Sequence, residues 1–187
     1  MPKHFKTEEN NLKEETETHL DGSKFNSGIF GQIEKLVLCK RYREALELFE
    51  ILECEGDNDV KCSTYDSLVS ACIGLKSIRD VKRVFNYMLN SGFEPDLYIR
   101  NRVLLMHVIC GMMIDAHRLF DTMPERNLVS WNIIIGGLVD VGDYVEAFRL
   151  FLMMWEEFVD VGSRTFATVI RSSAGLELIS PGQQLHA

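Results

Sequence analysis

Apolar side chains recur along this chain at offsets of 0, 3, 4 and 7, which places them on one face of an α-helix. Ala45, Leu48, Phe49 and Leu52 set the pattern. It returns as Val81, Val84, Phe85, Met88, then Ala116, Leu119, Phe120, Met123, then Ala147, Leu150, Phe151, Met154, with a partial copy at Gly182, Leu185, His186. Successive copies start 36, 35, 31 and 35 residues apart. So steady a period marks internal repeats. A second quartet runs upstream of each: Tyr65, Leu68, Val69, Cys72; Arg100, Val103, Leu104, His107; Trp131, Ile134, Ile135, Leu138; and Phe166, Val169, Ile170, Ser173. Each unit therefore predicts two amphipathic helices.

Turn signals stand where such helices must stop. Within units these are Gly74 to Ser77, Cys110-Gly111 and Val141-Gly142-Asp143; between units they are Gly92 to Asp96 and Pro124 to Asn127. Glycine supplies the positive φ that ends a helix, and proline restricts the residue before it. The stretch MPERNLVSWNIIIGGL (123–138) is such a seam: Met123 closes one unit and Trp131 opens the next helix. Short helix pairs cannot bury their apolar faces alone, so they stack into a solenoid. The fold class is all α, four helical hairpins and a partial fifth. The helix starting near Ser130 is expected on the inner side and the one near Asp143 on the outer. Val169, Ile170 and Leu185 are expected to lack a covering neighbour.

Composition narrows the chemistry. The 187 residues are 46% hydrophobic and 26% charged, enough for a packed core. Even the densest apolar segment, FRLFLMMWEEF (148–158), is broken by Arg149, Glu156 and Glu157, so a membrane span is excluded. The first twenty residues lack a secretory apolar core and are too acidic for an arginine-rich transit peptide. The net charge is −8, and residues 1–25 hold −2 of it. That balance runs against the basic surplus of most nucleic-acid binders. Five cysteines without a CxxC pair read as reduced, buried thiols. His107 and Cys110 have the spacing of two metal ligands, but no second pair completes a site.

The units resemble pentatricopeptide repeats: first helices like SWNIIIGGL (130–138), second helices like YVEAFRLFLMM (144–154), and tails like SGFEPD (91–96). The mixture of 35-residue units with a 31-residue unit ending in MPERN is similar to the plant subclass that interleaves P, long and short repeats. On that register residues 1–25 are a disordered polar tail, 26–61 a degenerate P-like unit, 62–96 long, 97–127 short, 128–162 P-like, and 163–187 a partial long unit that stops inside its second helix, as a truncated fragment would. The resemblance implies a right-handed α-solenoid that binds single-stranded organellar RNA, one base per unit, with no cofactor or metal. Each base would be read by the fifth and last residues of a unit. These are Asn101 and Asn127 in the short unit, Asp66 and Asp96 in the long unit, and Asn132 with side-chain-less Gly162 in the P-like unit. Phe30 and Ala167 hold fifth places unsuited to hydrogen bonding. The family's pairing pattern matches the Asn101–Asn127 combination to cytosine.

Each of these residues has a second reading. Asn132 near a helix start fits a cap, Asn127 after Pro124 fits a turn, and Asp66 and Asp96 fit solvent or cap roles. Lys82, Arg83, Arg100, Arg102, Arg118 and Arg126 are candidates for phosphate. Neither the H-x-E nor the C-x-x-C string of zinc deaminases occurs, and there is no P-loop or G-x-S-x-G, so the chain reads as non-catalytic. The expected role is RNA binding that supports RNA processing or C-to-U editing with editing-complex proteins, in the chloroplast rather than the mitochondrion and off the membrane. The alternatives are a scaffold whose groove binds a protein or peptide, or a copy without independent function.

Overall fold

The computed structural model describes residues 22–55 and 60–157, together with positions 162, 165, 167, 168, 170 and 171. Eight helices fill the described residues, with no strand among them: α1 (Gly22–Leu38), α2 (Tyr42–Glu55), α3 (Cys62–Leu75), α4 (Ile78–Asn90), α5 (Leu97–Ile109), α6 (Met113–Thr122), α7 (Leu128–Asp140) and α8 (Tyr144–Glu156). They pair as four hairpins. The partial fifth unit, with Val169 and Leu185, lies almost wholly outside the described residues; Ile170, which is described, is 66% exposed. Helix α1 begins at Gly22, four residues before the tail boundary drawn at 26. Nothing between those positions is a helix breaker of proline strength.

Each first helix packs on the first helix of the next unit, α1 on α3, α3 on α5, and α5 on α7, whereas consecutive second helices scarcely touch. A stack with one close-packed layer and one spread layer curves toward the former. The first helices α1, α3, α5 and α7 therefore line the inner face, and α2, α4, α6 and α8 the outer. Helix α7, which contains Ser130, is thus inner, and α8 is outer. The quartets form the core between the layers: Phe49, Tyr65, Leu68, Val84, Leu104, Phe120, Trp131, Ile134 and Ile135 are essentially inaccessible. Phe120 meets Trp131 edge-on at 4.8 Å, which joins the short unit to the next.

The four-residue deficit of the short unit has a local cause. Helix α6 has 10 residues against 13 in α4 and α8. Its connector to α7, residues 123–127, is one residue shorter than the 91–96 connector. Met123 is extended, and Pro124 blocks a further turn.

One turn reading changes. Gly111 and Gly142 take the left-handed conformation, at φ 75° and 82°, but the turn expected around Gly74 is made by Lys76 at φ 50°. Gly74 stays inside α3 because the ring of Tyr42 rests on its backbone; an added Cβ would sit 2.3 Å from Tyr42 Cε2. The cysteines also divide: Cys72 and Cys110 are buried, but Cys39, Cys54 and Cys62 are exposed. Cys39 falls in the α1–α2 turn, Cys54 in the last turn of α2, and Cys62 opens α3, all positions where the helix leaves the core.

The outer layer is held by side chains long enough to cross its gaps. Arg83 of α4 reaches back to α2, pairing with Glu50 at 2.6 Å and Glu53 at 2.7 Å, donating to the Leu46 carbonyl, and lying over the Phe49 ring. His117 of α6 sits between Asp121 of its own helix at 3.1 Å and Glu146 of α8 at 2.9 Å. Burial pulls its pKa down, but the hydrogen bonds it donates to Glu146 and Asp121 outweigh this and the net shift is upward. Glu146, also held by Arg149, is lowered to about 2.

Two tests follow from this packing. In α7, a Cβ on Gly136 would meet nothing, whereas one on Gly137 would lie 2.7 Å from Val108 Cγ1 and 3.0 Å from Met113 Sδ. Gly136→Ala should stabilise by about 0.5–1 kcal/mol through helix propensity, and Gly137→Ala should destabilise by about 1–2 kcal/mol through overpacking; urea denaturation reads both. For His117 the raised pKa means that its contribution is full below the ordinary value of 6.5 and fades as pH rises through the folded value. His117→Ala should therefore cost more at about pH 6 than at about pH 9; equal costs would remove the ionic account.

Candidate nucleic-acid interface

Every helix begins with backbone N–H groups that have no partner inside it. At the start of α7 Asn127 supplies one: its side-chain Oδ1 accepts from Val129 N at 3.0 Å and Ser130 N at 3.1 Å. Ser130 Oγ accepts in return from Asn127 N at 3.2 Å, completing a capping box. Asn101, from the inner face of α5, joins this cap by donating Nδ2–H to Asn127 Oδ1 at 3.2 Å. Ser130 Oγ donates to Asn101 Oδ1 at 2.6 Å. The fifth and last residues of the short unit are thus brought together, 26 positions apart in sequence.

The hydrogen-bond chemistry fixes both amides. Only an oxygen accepts from two backbone N–H groups, so Asn127 must turn Oδ1 to the helix and Nδ2 outward. Asn101 must then present Nδ2 to that oxygen and Oδ1 to the serine. Ser130 is fully buried and Asn101 is 7% exposed, while Asn127 is exposed. What the pair leaves for a ligand is N–H donors. The turn reading of Asn127 and its site reading describe the same residue: the oxygen caps and the nitrogen is free.

The other candidates sit differently. Asn132 is the fifth residue of α7, too far inside to cap it, so its capping alternative gives way to an inner-face position. Its Oδ1 accepts from the buried Thr165 Oγ1 at 2.7 Å. Asp96 caps α5, accepting from Ile99 N at 2.8 Å. Asp66 is engaged by the next unit: Arg102 Nε donates to Oδ1 at 2.6 Å and Tyr98 OH to Oδ2 at 3.3 Å. No direct bond joins Asp66 to Asp96 among the described residues, although both border Cys62, whose thiol pKa is raised by burial and then by these two charges. Sequence reasoning missed Ser130 and Thr165. Their signal was a hydroxyl at the third place of two successive units, 35 residues apart.

The candidate phosphate contacts are largely committed. Arg102 is neutralised by Asp66, Arg83 by Glu50 and Glu53, and Arg126 caps the end of α6 through the Phe120 and Asp121 carbonyls and pairs with Glu157. Arg100 lines a mostly apolar cavity with Phe85, Met88, Leu119 and Met123. Lys82 and Arg118 are exposed on the outer helices α4 and α6. On the inner face Glu34 accepts from Ser63 and Thr64, and Asp140 pairs with Arg171. The inner face carries no basic surplus among these residues. His107 and Cys110 are core: His107 donates Nδ1–H to the Val103 carbonyl at 2.9 Å, packs edge-on against Phe85, and has its pKa lowered by burial. Among the described residues no three His, Cys, Asp or Glu side chains group to hold a metal, and no helix is long and apolar enough to cross a membrane.

Comparison with known proteins agrees with this architecture. The PPR repeat family model matches residues 63–93 and 129–157, an inner and an outer helix each time. The chain is 58% identical over 178 residues to the Arabidopsis thaliana pentatricopeptide repeat-containing protein At5g50390, chloroplastic, covering 94% of this chain and 25% of that one. It is 37% identical over 152 residues to the Arabidopsis mitochondrial protein At3g53360, covering 80% of this chain and 20% of that one. The chain thus spans a quarter or less of the length of these relatives. The crystal structure of the pentatricopeptide repeat protein PPR10 from maize superposes with a TM-score of 0.63 at 18% identity, over 84% of this chain and 24% of that one. That of nuclear proteinaceous RNase P 2 from A. thaliana does so with a TM-score of 0.64 at 12% identity, over 80% and 35%. The repeat period, the hairpin stack and these likenesses converge: the chain belongs to the pentatricopeptide repeat family.

Proposed function

We propose that the inner face of this solenoid binds single-stranded RNA base by base, and that Asn101 and Asn127 together address one cytosine. The carrying observation is the closed Asn101–Asn127–Ser130 network, which spends both amide oxygens and leaves N–H groups for the groove. The Watson–Crick edge of cytosine offers acceptors at N3 and O2, whereas uracil carries a proton on N3. A donor-only pair therefore favours cytosine. The Asn127 oxygen is not free to accept from the exocyclic amine, because the helix start occupies it. Aspartate at the same place would cap equally well with one oxygen and turn the other outward to accept from uracil N3–H. Asp96, capping α5 through Oδ1, has that arrangement in the long unit.

The family supports an organellar role in RNA processing, C-to-U editing among the possibilities, with editing-complex proteins as partners and the chain acting as a non-enzymatic scaffold. The chloroplastic relative favours the chloroplast. The mixture of 35- and 31-residue units supports the subclass with interleaved P, long and short repeats.

Asn127 provides the test, because capping and base reading separate there. Asn127→Ala should lower stability by about 1 kcal/mol and abolish any preference for cytosine. Asn127→Asp should keep stability, since a carboxylate suits a helix N-terminus, and should move the preference from C to U by ~1 kcal/mol. Affinities must be measured at fixed salt on RNAs differing at one base. Equal weakening of C and U by the aspartate would reduce Asn127 to a cap.

A further inference from the structure

Unit 128–162 lacks a last-place side chain because that place is Gly162, so on the reading above its base would face Asn132 alone. An unconstrained amide is ambiguous: it turns over to present either its oxygen or its nitrogen. Here it is constrained from the following unit. Thr165 Oγ1, in a fully buried residue, donates to Asn132 Oδ1 at 2.7 Å. Thr165 N is in turn held by the Gly162 carbonyl at 3.0 Å, which fixes the threonine to the connector. The same geometry occurs one unit earlier, where buried Ser130 Oγ donates to Asn101 Oδ1 at 2.6 Å. In both cases the hydroxyl stands at the third place of the next unit and engages the oxygen of the fifth-place amide.

We infer that Thr165 is a specificity-determining positioning residue: its hydroxyl locks the Asn132 amide nitrogen-outward and takes over the role that Gly162 leaves vacant. The proposal rests on RNA binding in the inner groove. It follows that unit 128–162 offers donors only. A uracil or cytosine has two acceptors on its Watson–Crick edge, O4 and O2 or N3 and O2, whereas adenine has N1 and guanine O6. A locked amide nitrogen therefore prefers either pyrimidine over either purine, and with no side chain at 162 it does not separate C from U. Freed, the amide turns its carbonyl to the exocyclic amine of adenine and the preference relaxes.

Asp66 is the internal contrast. There the fifth place is a carboxylate, the third place of the following unit is Ile99, and the partners are donors from Arg102 and Tyr98 instead. The following unit again supplies what satisfies the fifth-place group, with chemistry matched to it.

The test uses the 187-residue chain and hexanucleotides in which a fixed cytosine seats on unit 97–127 and each adjacent nucleotide in turn is C, U, A or G. NMR titration at fixed low salt follows the Asn132 side-chain NH₂ resonances and the affinity. The unsubstituted chain should favour C and U equally over A. Thr165→Val, which keeps the shape but removes the hydroxyl, should cut the pyrimidine-over-adenine ratio by about fivefold, equivalent to ~1 kcal/mol, partly through tighter binding of the adenine RNA. Thr165→Ser should restore the ratio. A gain for adenine is something mere destabilisation does not produce, and thermal melting of each variant fixes the folded fraction. If Thr165→Val weakens all RNAs alike, or leaves the ratio unchanged, Thr165 is only a packing residue. If the unsubstituted chain binds none of the RNAs, the groove reading itself fails.

Discussion

The unpaired N–H groups at the start of each inner helix are the constraint on which the rest of this molecule turns. Lys61 before α3 offers no side-chain acceptor, whereas at α5 and α7 the residue just before the helix accepts from these donors. That residue is also the last of its unit and lies at the mouth of the inner face. One side chain therefore has two jobs, and its two polar atoms divide them. In Asn127 the oxygen serves the helix and the nitrogen is left over; in Asp96 one oxygen serves and the other is left over. The difference between asparagine and aspartate at this place then becomes a difference between donor and acceptor, with the fold nearly indifferent to the choice.

The two layers obey different physics. Inner helices touch directly and carry Tyr65, Trp131, Ile134 and Ile135, so burial of apolar area holds them. Outer helices stand apart, and polar side chains bridge the gaps between them, Arg83 to Glu50 and Glu53 and His117 to Glu146, beside one edge-on ring contact of Phe49 with Tyr87. Such pairs are worth little individually when exposed. Arg83 is the exception in kind, since its side chain is only 18% exposed and lies over Phe49. The inner layer sets the stack and the outer layer trims its curvature, which explains how the short unit loses three residues from α6 without disturbing α5 or α7.

The repeat and its hairpins were legible because they rest on local periodicity. The quartets specify which face is buried, and Gly111, Gly142, Pro95 and Pro124 mark where helices stop. The roles of the polar residues were not, because each is decided by a partner 26 to 36 positions away: Asn127 by Asn101, Asn132 by Thr165, Asp66 by Arg102. Gly74 shows the same limit. A glycine near a helix end reads as a terminator, but the ring of Tyr42, on a different helix, is what requires it. The arginines misled for a related reason. A list of six basic residues says nothing of Glu50, Glu53, Asp66 and Glu157 waiting across the seams to neutralise three of them.

That neutralisation bears on how the proposed groove would work. A nucleic-acid binder ordinarily gains much of its affinity by releasing counterions from phosphates, a gain that requires free cations on the binding face. Here Arg102 is tied to Asp66 and Arg171 to Asp140, and the chain as a whole carries −8. The arginines of the inner face thus offer little to hold a backbone irrespective of sequence. Affinity on the proposed reading must come from the bases, at ~1 kcal/mol for a typical net hydrogen bond. The three units with a polar fifth-place side chain, Asp66, Asn101 and Asn132, give about −3 kcal/mol at that level, a dissociation constant on the order of several millimolar. Such a face discriminates better than it holds. Because each unit adds a similar increment, binding strength becomes a matter of how many units act together, while the choice of base stays local to a cap, a fifth-place side chain and the hydroxyl behind it.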